Sequence, residues 1–141
     1  MVKSAMSAHR SLLPPGWPRP RGYANAIAAR GLTVFTGGLV GWNQTEEFAS
    51  GGIVGQFRQI LNNLLAILAE ADAGPEHLVR MTWYVIDVEA YRAELPAIGE
   101  AYRELLGRNF PAMAVVQVVA LVEPEALIEI EATAVRPDVI E

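Results

Sequence analysis

The 141-residue chain is the length of one domain, and with 52% apolar and 19% charged residues it can bury its own core and still present apolar surface to a second copy. A formal charge of −5 at pH 7 repels phosphate backbones, and no cluster of Lys and Arg reverses it locally, so nucleic acid is not an expected partner. The absence of cysteine excludes disulfides, thiolate metal sites and cysteine nucleophiles, and fits a cytoplasmic protein.

Residues 1–20 hold Pro14, Pro15, Pro18 and Pro20, whose fixed φ and missing N–H groups oppose helix and sheet. This predicts a flexible, Pro-rich N-terminal arm, unpaired at least to Ser11, ahead of a single domain over 21–141. The arm contains no apolar run of secretory length. The longest apolar stretch, 112–122, is broken by Gln117 and has about half the length of a membrane-spanning helix, so no membrane partner is expected. Asn43-Gln44-Thr45 spells a glycosylation sequon, which without an export signal is a chance match.

Two short β-compatible runs, 23–29 and 32–36, flank Arg30-Gly31 and predict a tight hairpin. Gly37-Gly38 closes the second run, and Gly41 and Gly51-Gly52 bracket a loop with Trp42. These glycines match neither a phosphate-binding loop nor a dinucleotide fingerprint, and turning the chain is their simplest role. Residues 53–71 form the strongest predicted helix, with Phe57, Ile60, Leu61, Leu64, Leu65 and Leu68 at steps of three and four, stopped by Gly74-Pro75.

Residues 79–87 read as a strand with Val79, Met81, Trp83 and Val85 on one face, largely apolar on both and therefore central or pressed against another subunit. A second helical stripe over 89–106 is interrupted at Pro96, where a break or a fresh first turn is expected. Residues 112–122 and 126–135 are β-rich and joined by Glu123-Pro124-Glu125, predicting a closing hairpin. The order ββ-α-β-α-ββ gives an α+β domain, one mixed sheet with both helices packed on one face.

Chemistry-bearing candidates are few. In the last strand Glu129, Glu131 and Thr133 alternate with Ile128, Ile130, Ala132 and Ala134, and the two carboxylates stand roughly 7 Å apart, too far to share a proton. Gln117 is the one polar side chain in the row Met113, Val115, Val119, Leu121, and its amide needs partners if buried. His9, in the arm, and His77, placed in a surface turn, have no neighbours at ligand or triad spacing, so neither a metal site nor a cofactor is implied.

Asn109-Phe110-Pro111-Ala112-Met113-Ala114-Val115, followed by Ile128-Glu129-Ile130-Glu131-Ala132-Thr133-Ala134-Val135, resembles the closing signature of the RidA/YjgF family. Residues 56–64, the strand 81–87, Ala101-Tyr102, and Tyr23 ahead of Phe35-Thr36-Gly37-Gly38 extend the resemblance over about 22–136. It implies a chorismate-mutase-like fold, a homotrimer with a central β-barrel, and small-molecule clefts between subunits in which enamines or imines are hydrolysed.

Carried over position by position, the resemblance implies Glu129 as the catalytic carboxylate and Tyr23 as the cleft aromatic, with Gly37, Gly38 and Gln117 also lining the ligand. Met113 stands where the family has the carboxylate-binding arginine, Gly99 where it has asparagine, Gly37 where it often has serine, and Val115 where it often has cysteine. A thioether cannot form the bidentate, charge-assisted bonds of an arginine. The substrate implied is therefore a larger or conjugated imine, of the aminomuconate type, in an apolar cleft. A replacement cation would be Arg21, beside Gly22-Tyr23, or Arg108. The other reading the substitutions leave open is a non-catalytic binder or metabolic regulator.

Overall fold

The computed structural model describes residues 9–138. In chain order the elements are β1 (Arg10–Ser11), β2 (Ile27–Ala28), β3 (Leu32–Phe35), β4 (Leu39–Val40), α1 (Gly52–Ala69), β5 (Leu78–Val85), α2 (Val88–Ala93), α3 (Leu95–Leu106), β6 (Ala112–Gln117) and β7 (Ile128–Arg136). A 3-10 turn, Pro75–His77, leads into β5.

The predicted α1 forms where the apolar stripe placed it. Gly51, at φ 98°, turns the chain into the helix without a side-chain cap, so packing rather than capping holds it. Phe57, Ile60, Leu61, Leu64 and Leu68 are completely buried, and the Phe57 ring lies 4.9 Å from that of Trp83. Gly41 lets the preceding loop approach α1: a Cβ there would stand 2.6 Å from the Gln56 Cα. Buried Gln56 binds the distant chain, its Nε2 donating to the Glu125 carbonyl (2.9 Å) while its Oε1 accepts from the Leu127 N–H (2.8 Å).

Pro96 sits in the first turn of α3, where its missing N–H costs nothing, and the helical stripe is split there as expected. Asp87 caps α2 by accepting from the backbone N–H groups of Glu89 (3.0 Å) and Ala90 (3.1 Å).

The main sheet runs β3-β7-β5-β6, with β4 also on β7. It is mixed: β5 pairs with β6 in parallel and with β7 antiparallel. Its Met81, Trp83, Val85, Ile128, Ile130, Ala132 and Ala134 join the α1 and α3 side chains in one buried cluster, so the helices cover one face and leave the other open. Alternation along β7 is as the sequence reads it.

Both predicted hairpins are absent. β2 pairs with β1, as a separate two-stranded ribbon, while β3 pairs with β7. β6 ends at Gln117 rather than 122 and lies beside β5, so β5 separates it from β7. A turn sequence records that the chain bends, not which strand its next segment meets, and here the central β5 outcompetes the sequence neighbour.

Three local expectations also change. Arg10 and Ser11 are paired to Ala28 and Ile27, and the Leu12 N–H donates to the Ala26 carbonyl, so the arm is tied down from its first described strand. A register slip between Leu78 and Arg80 puts Leu78, not Val79, into the core row. His77 is buried, with Nδ1 accepting from the Gly74 N–H (3.0 Å), and burial lowers its pKa.

Candidate functional site

Glu129 occupies the open sheet face, in the register row Val40, Glu129, Tyr84, Val116. The next rows on that face pair Thr82 with Glu131 and Arg80 with Thr133, and Thr133 also faces Phe35 of β3. Phe35 is 76% exposed and Val116 41%, so apolar side chains flank this polar strip. Burial and the Glu131 carboxylate, with a smaller contribution from Glu129, raise the Tyr84 phenol above its usual range. A cavity of about 160 Å³ lies among Phe35, Thr36, Arg80, Thr82, Glu131 and Thr133.

The seat of Glu129 follows from a bulge. β3 leaves β7 at Phe35↔Thr133 and β4 resumes at Leu39↔Ile130, so Thr36, Gly37 and Gly38 oppose only Ala132 and Glu131. The Thr36 N–H donates to the Ala132 carbonyl (2.9 Å), while the Ala132 N–H donates to Thr36 Oγ1 (3.0 Å), a hydroxyl replacing a main-chain acceptor. The extra residue brings Gly38 under the Glu129 side chain: a Cβ on Gly38 would stand 2.8 Å from Glu129 Cδ, nearer still to Oε2. Gly38 is therefore needed for where a carboxylate rests, in addition to turning the chain.

The expected grouping of Glu129 with Met113, Val115 and Gln117 is not made within one chain. Met113 and Val115 pair with Met81 and Trp83 and pack half-buried against the helix-covered core, on the sheet face opposite Glu129. Alternation sets this, because Tyr84 carries Glu129 and Val116 to one side and Trp83 carries Val115 and Ile130 to the other. Gln117 is exposed at the end of β6, and its Oε1 accepts from the Val88 N–H (2.8 Å) at the start of α2. Gly99 is half-buried on α3, where a Cβ would stand 3.2 Å from Arg103 Nη1. Arg103 thus lies across the position where the resemblance has an asparagine, a placement legible in the i, i+4 spacing alone.

Tyr23, 43% exposed, belongs to a second place. The neighbouring Ala24 bridges Ala112 in parallel and its N–H donates to the Pro111 carbonyl (2.9 Å), which holds this stretch beside the start of β6. There a cavity of about 630 Å³ is lined by Tyr23, Arg19, Arg108, Asn109, Phe110 and His9 among others, and by neither Glu129 nor Met113. Of the two cations named from the sequence, Arg108 lines it and the exposed Arg21 does not; Arg19, which sequence reasoning missed, does. Among the described residues no group of three His, Asp or Glu side chains could hold a metal ion, and no helix is long and apolar enough to cross a membrane.

Comparison with known proteins covers nearly the whole of this framework. The family model described as Endoribonuclease L-PSP matches residues 18–136. The RutC family protein UK114 of Drosophila melanogaster is 31% identical over 118 residues, 83% of this chain and 81% of that one. A human protein named 2-iminobutanoate/2-iminopropanoate deaminase is 30% identical over 105 residues, 74% of this chain and 73% of that one. Among solved structures, YyfB of Yersinia pestis, described as a Rid-family protein of unknown function, superimposes with a TM-score of 0.79 at 34% identity, covering 91% of this chain and 98% of that one. With the family model, curated relatives and a closely matching fold in agreement, the chain belongs to the RidA/YjgF family.

Proposed function

We propose that the protein hydrolyses the C=N bond of a small enamine or imine, a larger or conjugated one than the simplest imino acids, with Glu129 as general acid and base. The observation that carries this reading is the Glu129 carboxylate seated over side-chain-free Gly38 on an open sheet face. The name of the human relative, an imine deaminase, supports the reaction class. In the proposed reaction Glu129 takes a proton from water as the water oxygen adds to the carbon of the protonated imine, giving a neutral carbinolamine. Glu129 returns that proton to nitrogen and accepts the hydroxyl proton as the C–N bond breaks, so that ammonia leaves behind a carbonyl.

The cleft is completed, in this reading, by a second copy. The chain forms a homotrimer whose open sheet faces line a central barrel, and Met113, Val115 and Gly99 of one copy approach Glu129, Gly37 and Gly38 of the next. Exposed Phe35 and Val116 on the Glu129 face, and Val119 and Val122 beyond β6, support a partner there. Light scattering is expected to give about 46 kDa, three times the 15.3 kDa chain. A monomer mass at micromolar concentration would refute the shared cleft.

Ammonia release from a panel of freshly generated imines and enamines tests the activity, and no turnover above buffer with any of them overturns it. Met113 favours a second reading, a non-catalytic binder, since it cannot clamp a carboxylate. Ligand-induced thermal shifts without product would support that alternative.

Gly38→Ala separates position from fold. The atoms nearest its Cβ are Oε2, Cδ and Cγ of the flexible Glu129 side chain, which can give way, so stability should change by less than about 1 kcal/mol. Turnover should fall about tenfold as the carboxylate leaves its seat. Wild-type turnover in a folded Gly38→Ala protein would mean that this seat is irrelevant to the chemistry.

A further inference from the structure

The 630 Å³ cavity beside the N-terminal segment is within the size range of small-molecule sites and has walls fixed by hydrogen bonds. On one side β1 is paired to β2, and the stretch through Ala24 is bonded to Pro111. On the other, the Arg108 to Phe110 loop is held by the Tyr102 hydroxyl donating to the Asn109 carbonyl, by Asn109 Nδ2 donating to the Leu106 carbonyl (2.7 Å), and by Phe110 stacking on Tyr102 at 5.5 Å. Such walls present their side chains in place before any ligand arrives.

The lining is cationic in a chain whose formal charge is −5. Arg19 and Arg108 face it with Glu76 as the single acidic residue, and neither arginine is in an ion pair among the described residues. The His9 ring also lines the cavity, but its two nitrogens are shielded from solvent and have no hydrogen-bond partner among the described residues, so His9 is part of the wall and not a donor to a ligand. Leu12, Leu13 and Phe110 form an apolar wall beside these groups.

We propose that this cavity is a second ligand site, distinct from the Glu129 face, that binds a phosphate monoester carrying an apolar or aromatic body. A single carboxylate carries one negative charge, which one bidentate guanidinium balances, and would leave the charge of the second arginine uncompensated. Two arginines match the charge of a phosphate dianion and can share its three terminal oxygens, while Leu12, Leu13 and Phe110 accept the organic body. The proposal stands whether or not Glu129 is catalytic: of the residues carried over from the family the cavity contains Tyr23 but neither Glu129 nor Met113, and its charge comes from Arg19 and Arg108.

Calorimetric titration of the full chain with phenyl phosphate, phenylacetate and phenylacetamide tests it. Phenyl phosphate should bind saturably, at least about tenfold tighter than phenylacetate, and the neutral amide should not bind measurably. Arg19→Gln and Arg108→Gln should each weaken phenyl phosphate binding about tenfold or more, with thermal unfolding showing that both remain folded. Arg30→Gln, an exposed arginine outside the cavity, and Glu129→Gln should bind as wild type. The proposal is overturned if phenyl phosphate shows no saturable binding at millimolar concentration, if phenylacetate binds equally well, or if both arginine variants keep wild-type affinity.

Discussion

Glu129→Gln is expected to lower ammonia release from the best imine or enamine substrate by about a hundredfold or more, the usual range for loss of a positioned general acid or base. Glutamine keeps the shape that rests over Gly38 but cannot accept and return a proton, so folding and solution mass should be those of wild type while turnover collapses. The register row shows why substitution at Glu131 is a suitable control. It lies two residues along the same strand and face, pairs with Thr82 rather than Tyr84, and does not rest on Gly38. Glu131→Gln should therefore cost less than about tenfold, chiefly through its influence on Tyr84. Equal losses in the two variants would mean that the face acts through its total charge, and unchanged turnover in Glu129→Gln would remove Glu129 from the mechanism.

The second large effect concerns stability. Phe57→Ala should destabilise the protein by about 3–5 kcal/mol, the range for deleting a buried aromatic side chain and leaving a cavity. Phe57 is fully buried and its ring meets Trp83 of the central strand, so it joins α1 to the sheet. Denaturant unfolding at one fixed protein concentration measures this, because association would otherwise shift the apparent stability. Ile67→Ala, on the same helix but 38% exposed, should cost less than about 1 kcal/mol. A loss below about 1 kcal/mol for Phe57→Ala would mean that α1 is not anchored through this contact.

What could be read from the amino-acid sequence were the features that depend on near neighbours. The stripe of Phe57, Ile60, Leu61, Leu64 and Leu68 specifies a helix and its buried face, because a helix brings residues three and four apart together. Pro96 specifies a helix start, and the alternation along 128–134 specifies which side chains face the core, each by local geometry alone. The closing signature was equally legible as a string, and with it the family.

Tertiary structure decided the partners. Arg30-Gly31 and Glu123-Pro124-Glu125 predict hairpins, yet β3 and β7 come together from opposite ends of the chain and β5 separates β7 from β6. Strand pairing is settled by which edge buries the most apolar surface, a property of the whole sheet that no short window contains. Within one chain the same non-local choice separates these residues: alternation across β5, β6 and β7 sends Met113 and Val115 to one face and Glu129 to the other, while the bond from Ala24 to Pro111 holds Tyr23 beside a cavity with Arg19 and Arg108. The bulge that rests Glu129 on Gly38 was likewise invisible, since it exists only as a mismatch of one residue between two segments that lie some ninety positions apart.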